Sequence, residues 1–218
     1  MLSKLFPVKK EDPFRGVRDA TLFTVAYLLV AAFFSYTTEN WEFVLYVGVV
    51  LFFAVVVYII HSHARLSKPL IWCLSIWGLL HMIGGLVYIP ETWAIDPGTK
   101  NVIYNLWLIP YRFKYDHAVH MYGFGVATWA CWQALRPFLK NPYPTKGALL
   151  LCVIGSMGFG SINEMVEFFG TLFISYTNVG GYTNTMWDLV SNTVGSIFGA
   201  ILIRMYYASP YKKSKHVR

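Results

Sequence analysis

Charge is scarce in this chain. Only 13% of its 218 residues are Asp, Glu, Lys or Arg, about half the roughly 25% usual in a soluble domain. So few charges cannot cover a surface that faces water on every side, and an ordinary soluble domain is excluded. Cysteine is nearly missing as well. Cys73, Cys131 and Cys152 stand singly, without paired spacing, which argues against a disulfide framework and against a thiolate metal site. Internal repeats and low-complexity tracts are also lacking. The net charge of +7 could suggest nucleic acid, but the basic residues are scattered between apolar runs, and no nucleic-acid partner is expected.

What the chain has in abundance is apolar length: 56% of residues are hydrophobic and 18% aromatic. A membrane-spanning helix needs about 20 mostly apolar residues. Six windows meet that length, at about 18–36, 43–60, 69–89, 115–135, 147–174 and 187–207. The fold class is therefore all-α: a single polytopic domain over 1–218, an integral membrane bundle of six transmembrane helices. The first window follows a charged, proline-containing stretch with no small-residue cleavage site, so it reads as a retained helix rather than a signal peptide. Lys and Arg recur before the first window, after the second and fourth, and at the C-terminus. The connections between windows 1 and 2 and between 5 and 6 carry none; only the long connection between windows 3 and 4 breaks the pattern, with Lys100, Arg112 and Lys114. The positive-inside rule then makes both termini cytoplasmic, with the basic tail against anionic headgroups. The expected location is the bacterial inner membrane, multi-pass, with membrane lipids as the first partners.

Seven acids and histidines sit inside the third to sixth windows: His81, Asp116, His117, His120, Glu164, Glu167 and Asp188. Such a group in the bilayer interior costs several kcal/mol or more and is tolerated mainly where it is paired, coordinated or functional. Direction places them at one depth. His81 lies about 12 Å below the outer end of the third window at 1.5 Å per residue. Asp116, His117 and His120 open the fourth, Glu164 and Glu167 occupy the outer half of the fifth, and Asp188 opens the sixth with Asn192 one turn deeper. At about 100° per residue, Asp116, His120, Gly123 and Ala127 share a face. Ser156, Gly160, Glu164 and Glu167 share another, and Asp188, Ser191, Asn192, Gly195 and Gly199 a third. Small residues at such spacing let helices approach closely in lipid, so the stripes that carry the polar groups are the ones expected to pack. The outer connections, about Pro90–Tyr115 and Ser175–Met186, are expected to cap the pocket.

Two chemistries fit this pattern and both stay open. In the first, facing helices supply imidazole and carboxylate to a divalent metal, as helical bundles do; the donor set suits zinc, iron or manganese. His117, His120 and Asp188 are the expected ligands, Asp116 orients His120, and His81 and Asn192 support the site or meet substrate. Glu164 or Glu167 then serves as general base, and the protein is a metal-dependent hydrolase or transferase on a lipid-like or envelope substrate. In the second, the same groups form a metal-free network that holds the helices in register or relays protons for transport. A non-catalytic accessory subunit of a larger membrane complex, or a homo-oligomer, is a further alternative, since little of the chain lies outside the helices. His61 and His63 flank Arg65 at the end of the second window and read as interfacial; His216 reads as solvated.

At these residues a family resemblance emerges. Leu80–Gly85, Tyr115–His120 and Glu164–Phe168 resemble the YjdF-like family of small bacterial inner-membrane proteins. Asp188–Gly195 is similar to the aspartate–asparagine–glycine signature of VanZ-like proteins. The resemblance spans roughly residues 70–205. It implies a polytopic helical protein and, from the VanZ-like members, an association with glycopeptide resistance and the cell envelope. The chain departs from those relatives where they carry a tryptophan–aspartate–threonine–glutamine run before the final aspartate. Here the stretch is Tyr182-Thr183-Asn184-Thr185, which lacks that acid.

Overall fold

The computed structural model describes residues 17–140 and 143–214, with side chains to 207. Among them run six long helices: α1 (Arg18–Thr37), α2 (Trp41–Ala64), α3 (Lys68–Leu86), α4 (Tyr115–Leu135), α5 (Lys146–Phe173) and α6 (Tyr182–Ser214). Local chemistry sets several of the ends. Asn40 caps α2 by accepting the N–H of Phe43, and Thr145 caps α5 by accepting that of Ala148; such caps satisfy donors that a helix start leaves orphaned. Pro69 sits in the first turn of α3, where its missing N–H costs nothing. Lys4, Lys9, Lys10 and Arg15 of the N-terminal basic segment and Lys215 and Arg218 of the tail, all of which bear on topology, lie outside the described residues.

The helix ends differ from expectation in two informative places. Hydropathy carries the third window to 89, but α3 stops at Leu86. There the chain turns extended, with Tyr88 bridging Val102 and the Ile89 N–H bonded to Asn101 O; Pro90 follows and cannot continue a helix. The sixth helix starts five residues before 187, because the N–H groups of Asn184 and Thr185 both reach Gly181 O. Residues that read as turn formers thus become its first turn. The all-α expectation is also relieved locally by a small antiparallel hairpin, β1 (Trp107–Ile109) with β2 (Phe113–Lys114).

Five helices are long and apolar enough to cross a membrane: α1, α2, α3, α5, and α6 over Tyr182–Tyr207. Large apolar side chains such as Leu29, Phe33, Phe52, Leu151, Phe168 and Phe198 stand exposed on them, as lipid-facing surface does. The sixth long helix, α4, is the more polar one, and it is the inner one. Val119, His120, Gly123, Phe124, Ala127, Thr128 and Trp132 are all buried on it, against α3, α5 and α6. A helix enclosed by its neighbours needs no lipid-compatible face.

Glycine makes that enclosure tight. A Cβ on Gly195 would lie 2.0 Å from Met121 O and one on Gly199 2.6 Å from Gly125 O, so α4 and α6 touch backbone to backbone. Ser196 donates to Ser156 Oγ at 3.0 Å, and Ser156 donates to Phe124 O at 2.8 Å, which ties α5 into the same seam. The polar stripes read from the sequence are therefore the packing stripes.

Candidate functional site

The end of the bundle where α4 and α6 begin and α3 and α5 finish is covered by the segments 87–114 and 174–181. Directly beneath them, α4, α5 and α6 deliver Asp116, His120, Glu164, Glu167, Asp188 and Asn192 to one place. Among the described residues two groups of ligand-type atoms lie within 4.8 Å of one another: Asp116, His120 and Asp188, and His120, Glu164 and Glu167. His120 is the hub. Its Nε2 stands 3.5 Å from Asp116 Oδ1, and its Nδ1 is 2.9 Å from Asn192 Oδ1 and 3.8 Å from Glu164 Oε1. The i,i+4 spacing on one helical turn brings Asp116 to His120, as the shared face requires.

Hydrogen bonds around the hub are unevenly distributed. The Asn184 amide donates to Asp188 Oδ2 at 2.7 Å and to Asp116 Oδ2 at 3.4 Å. One amide thereby engages one oxygen of each acid. Asp188 Oδ1 and both oxygens of Glu164 have no hydrogen-bond partner although they are buried; Asp188 itself is 1% exposed. Buried oxygens of this kind are costly unless something pairs with them. Asp188, whose Oδ1 is unpaired, groups with Asp116 and His120 as carboxylate and imidazole donors that could hold a metal ion. The opposite ring nitrogen fits too: Nδ1–H donating to Asn192 Oδ1 fixes the tautomer that leaves Nε2 free, the usual support for a metal-bound imidazole. Glu167 is held separately, accepting from Asn163 Nδ2 at 2.9 Å.

His117 is placed elsewhere than its expected ligand role. Its Nδ1 accepts the N–H of Lys114 at 3.2 Å, and its ring packs beside Phe113 and Trp187. It belongs to neither group of ligand atoms, because its position is about 100° around the helix from the face that Asp116 and His120 share. His81 stands just outside the hub. It is hydrogen-bonded through Nδ1 to the Tyr104 hydroxyl, and burial pushes that phenol well above its ordinary pKa. A cavity of about 20 Å³, the room of a single water, is lined by His81, Tyr104, Glu42, Asp116, Glu167 and Asn184. It connects the histidine to the acids.

Four contributors escape a reading of the sequence for acids and histidines at one depth. Asn184 passes for a turn residue. Lys114 sits at the end of the hairpin; its Nζ pairs with Asp96 at 2.6 Å and reaches Asn184 Oδ1 at 3.4 Å. Glu42, at the start of α2, is 3% exposed; it accepts the N–H of Asn178 at 2.8 Å and pairs with Lys100 at 3.6 Å. Tyr104 is one aromatic among many in its loop. The last three depend on loop geometry, which periodicity does not encode. Asn184 had a signal: it lies four residues before Asp188 on the same helical face.

Above the hub opens a vestibule of about 670 Å³, walled by Asp96, Lys100, Trp107, Lys114, Asp116, His117, Tyr176, Asn178, Asn184 and Trp187 among others. Asp116 belongs both to this wall and to the group with His120 and Asp188. The vestibule and the donor group therefore share Asp116.

Comparison with known proteins agrees with this architecture at the level of class. No curated protein and no solved structure matches the chain. A family model described as predicted membrane protein (DUF2238) matches residues 19–209, a range that holds every helix of the bundle's core and every residue of the pocket. The chain is a member of that family of membrane proteins.

Proposed function

We propose that this protein is a metal-dependent membrane enzyme, a hydrolase or transferase working on a lipid-like or envelope substrate at the capped end of the bundle. The observation that carries the reading is the division of labour among the carboxylate oxygens. Asn184 occupies Asp116 Oδ2 and Asp188 Oδ2; Asp116 Oδ1 stands 3.5 Å from His120 Nε2, and Asp188 Oδ1 has no hydrogen-bond partner. These three atoms hold a zinc, iron or manganese ion, with Asp116 in the position first expected of His117. A bound zinc lowers the pKa of a coordinated water to about 7. Glu164, whose oxygens have no hydrogen-bond partner, would serve there as general base. Glu167 stands behind it, and Asn192 orients the imidazole.

Placement in the membrane follows the same reading. With α4 as a sixth span shielded by its neighbours, the chain is one polytopic domain with both termini on one side. Arg65, Lys68, Arg136, Lys140 and Lys146 then lie at the end away from the pocket, which makes that end cytoplasmic under the positive-inside rule. The pocket faces the outer leaflet of a bacterial inner membrane. The YjdF-like and VanZ-like resemblance supports this setting and an envelope substrate.

Metal analysis of protein purified in detergent tests the proposal. About one zinc, iron or manganese per chain is expected, with the metal lost in His120→Ala. Protein that holds no stoichiometric metal and is indifferent to chelators would overturn it. The second reading would then stand: His120 between Asp116 and Glu164 at 3.5 and 3.8 Å, with Asn163 on Glu167, forms a proton-sharing network without a metal. Such a network serves the helix packing or proton-coupled transport.

A further inference from the structure

We infer that the vestibule is a binding site for a phosphate group that bridges the proposed metal and Lys114; the inference rests on the metal reading above. Asp116 lines the vestibule and belongs to the donor group, so a ligand in the vestibule lies against one of the residues proposed to hold the metal. The walls supply donors. Lys114, which is nearly buried, and Lys100 both line them. The start of α6 forms a further wall through Gly180, Gly181, Thr183 and Asn184, and its first turn holds no acid. A helix start of this kind carries partial positive charge and unpaired N–H groups, both favourable to an anion. Trp107, Tyr111 and Tyr176 line the mouth, where amphipathic rings suit the membrane–water interface. The volume falls within the range of about 300–1,000 Å³ typical of small-molecule sites, which suits a headgroup or a small phosphate ester rather than a protein segment.

Charge decides the order of binding. The lining sets Lys100 and Lys114 against Asp96 and Asp116 and is formally neutral. Both lysines are already paired, Lys114 with Asp96 at 2.6 Å and Lys100 with Glu42 at 3.6 Å. An empty pocket of this composition offers a dianion little, and Asp116 repels it. A divalent ion held by Asp116 and Asp188 reverses the sign there. An oxyanion then reaches the ion with one oxygen and Lys114 with another, while a third faces the α6 N–H groups. A carboxylate has only two oxygens and cannot meet all three. Phosphate and metal are therefore linked, and the linkage is equal in both directions.

The test uses the full chain in maltoside micelles, which contain no phosphate. Manganese affinity is titrated alone, with inorganic phosphate, and with phosphatidic acid mixed into the micelles. A rise in manganese affinity of about fivefold or more with phosphate is expected, within the range of ordinary couplings. A larger rise with phosphatidic acid identifies a lipid as the source, and a rise with inorganic phosphate alone identifies a free phosphate compound. Lys114→Met should retain manganese binding and lose most of the rise. Tight manganese binding that neither phosphate source changes would overturn the inference and leave the metal reading intact. Failure to bind manganese, zinc or iron at all would overturn both.

Discussion

At the scale of residues, the pocket is defined by what each oxygen and nitrogen is already doing. His120→Ala removes the hub, and manganese or zinc binding should fall below detection in a direct titration. Asn184→Leu and Asn192→Ala leave all three donor atoms present but loosen them. The loss of such supporting hydrogen bonds typically costs about 10–100-fold in metal affinity, and that is the loss expected of each in the same titration. His117→Ala should change metal affinity by less than either, since its Nδ1 is committed to the Lys114 N–H. An affinity loss for His117→Ala as large as for His120→Ala would reinstate His117 as a ligand. Much of this pocket was legible in the sequence. Intramembrane acids and histidines are rare enough to be noticed singly, and helix direction alone gives their depth. The choice between His117 and His120 was legible only in part: both lie within reach of Asp116, and the i,i+4 face favours His120. The Asn184 amide was hidden because asparagine beside Gly180 and Gly181 reads as turn chemistry until the helix is seen to start at Tyr182.

At the scale of elements, the site depends on the seam between α4 and α6. Gly195 and Gly199 allow main-chain contact with Met121 and Gly125, which is how Asp188 and Asn192 come within reach of His120. Gly195→Ala forces the two helices apart. Overpacking of this kind costs about 1–3 kcal/mol, and the upper part of that range is expected from equilibrium unfolding in mixed micelles, with metal binding weakened in parallel. A Cβ added to Gly158 on α5 would meet nothing within 4 Å, so Gly158→Ala should shift stability by no more than about 1 kcal/mol. Equal effects for the two substitutions would remove the seam from the account. The packing stripes were visible as small residues at helical spacing. The end of α3 was not, because the strand-like pairing of Tyr88 with Val102 is a long-range choice that local hydropathy does not contain.

At the scale of the whole molecule, a polar helix is enclosed mainly by α3, α5 and α6, and its polarity is concentrated at one end beneath the two covering segments. Single cysteines at Glu39 or Tyr176, in a background lacking Cys73, Cys131 and Cys152, should label from outside intact cells. Cysteines at Arg65 or Lys146, both exposed, should label only after permeabilisation. The reverse pattern would turn the bundle over and place the pocket on the cytoplasmic side. The most direct test of the central claim is anomalous diffraction from crystals of the metal-loaded protein, recorded at the absorption edge of the bound metal. The account predicts one strong peak about 2.0–2.2 Å from His120 Nε2, Asp116 Oδ1 and Asp188 Oδ1. A map with no peak among these three atoms, recorded from crystals grown with excess metal, would contradict it.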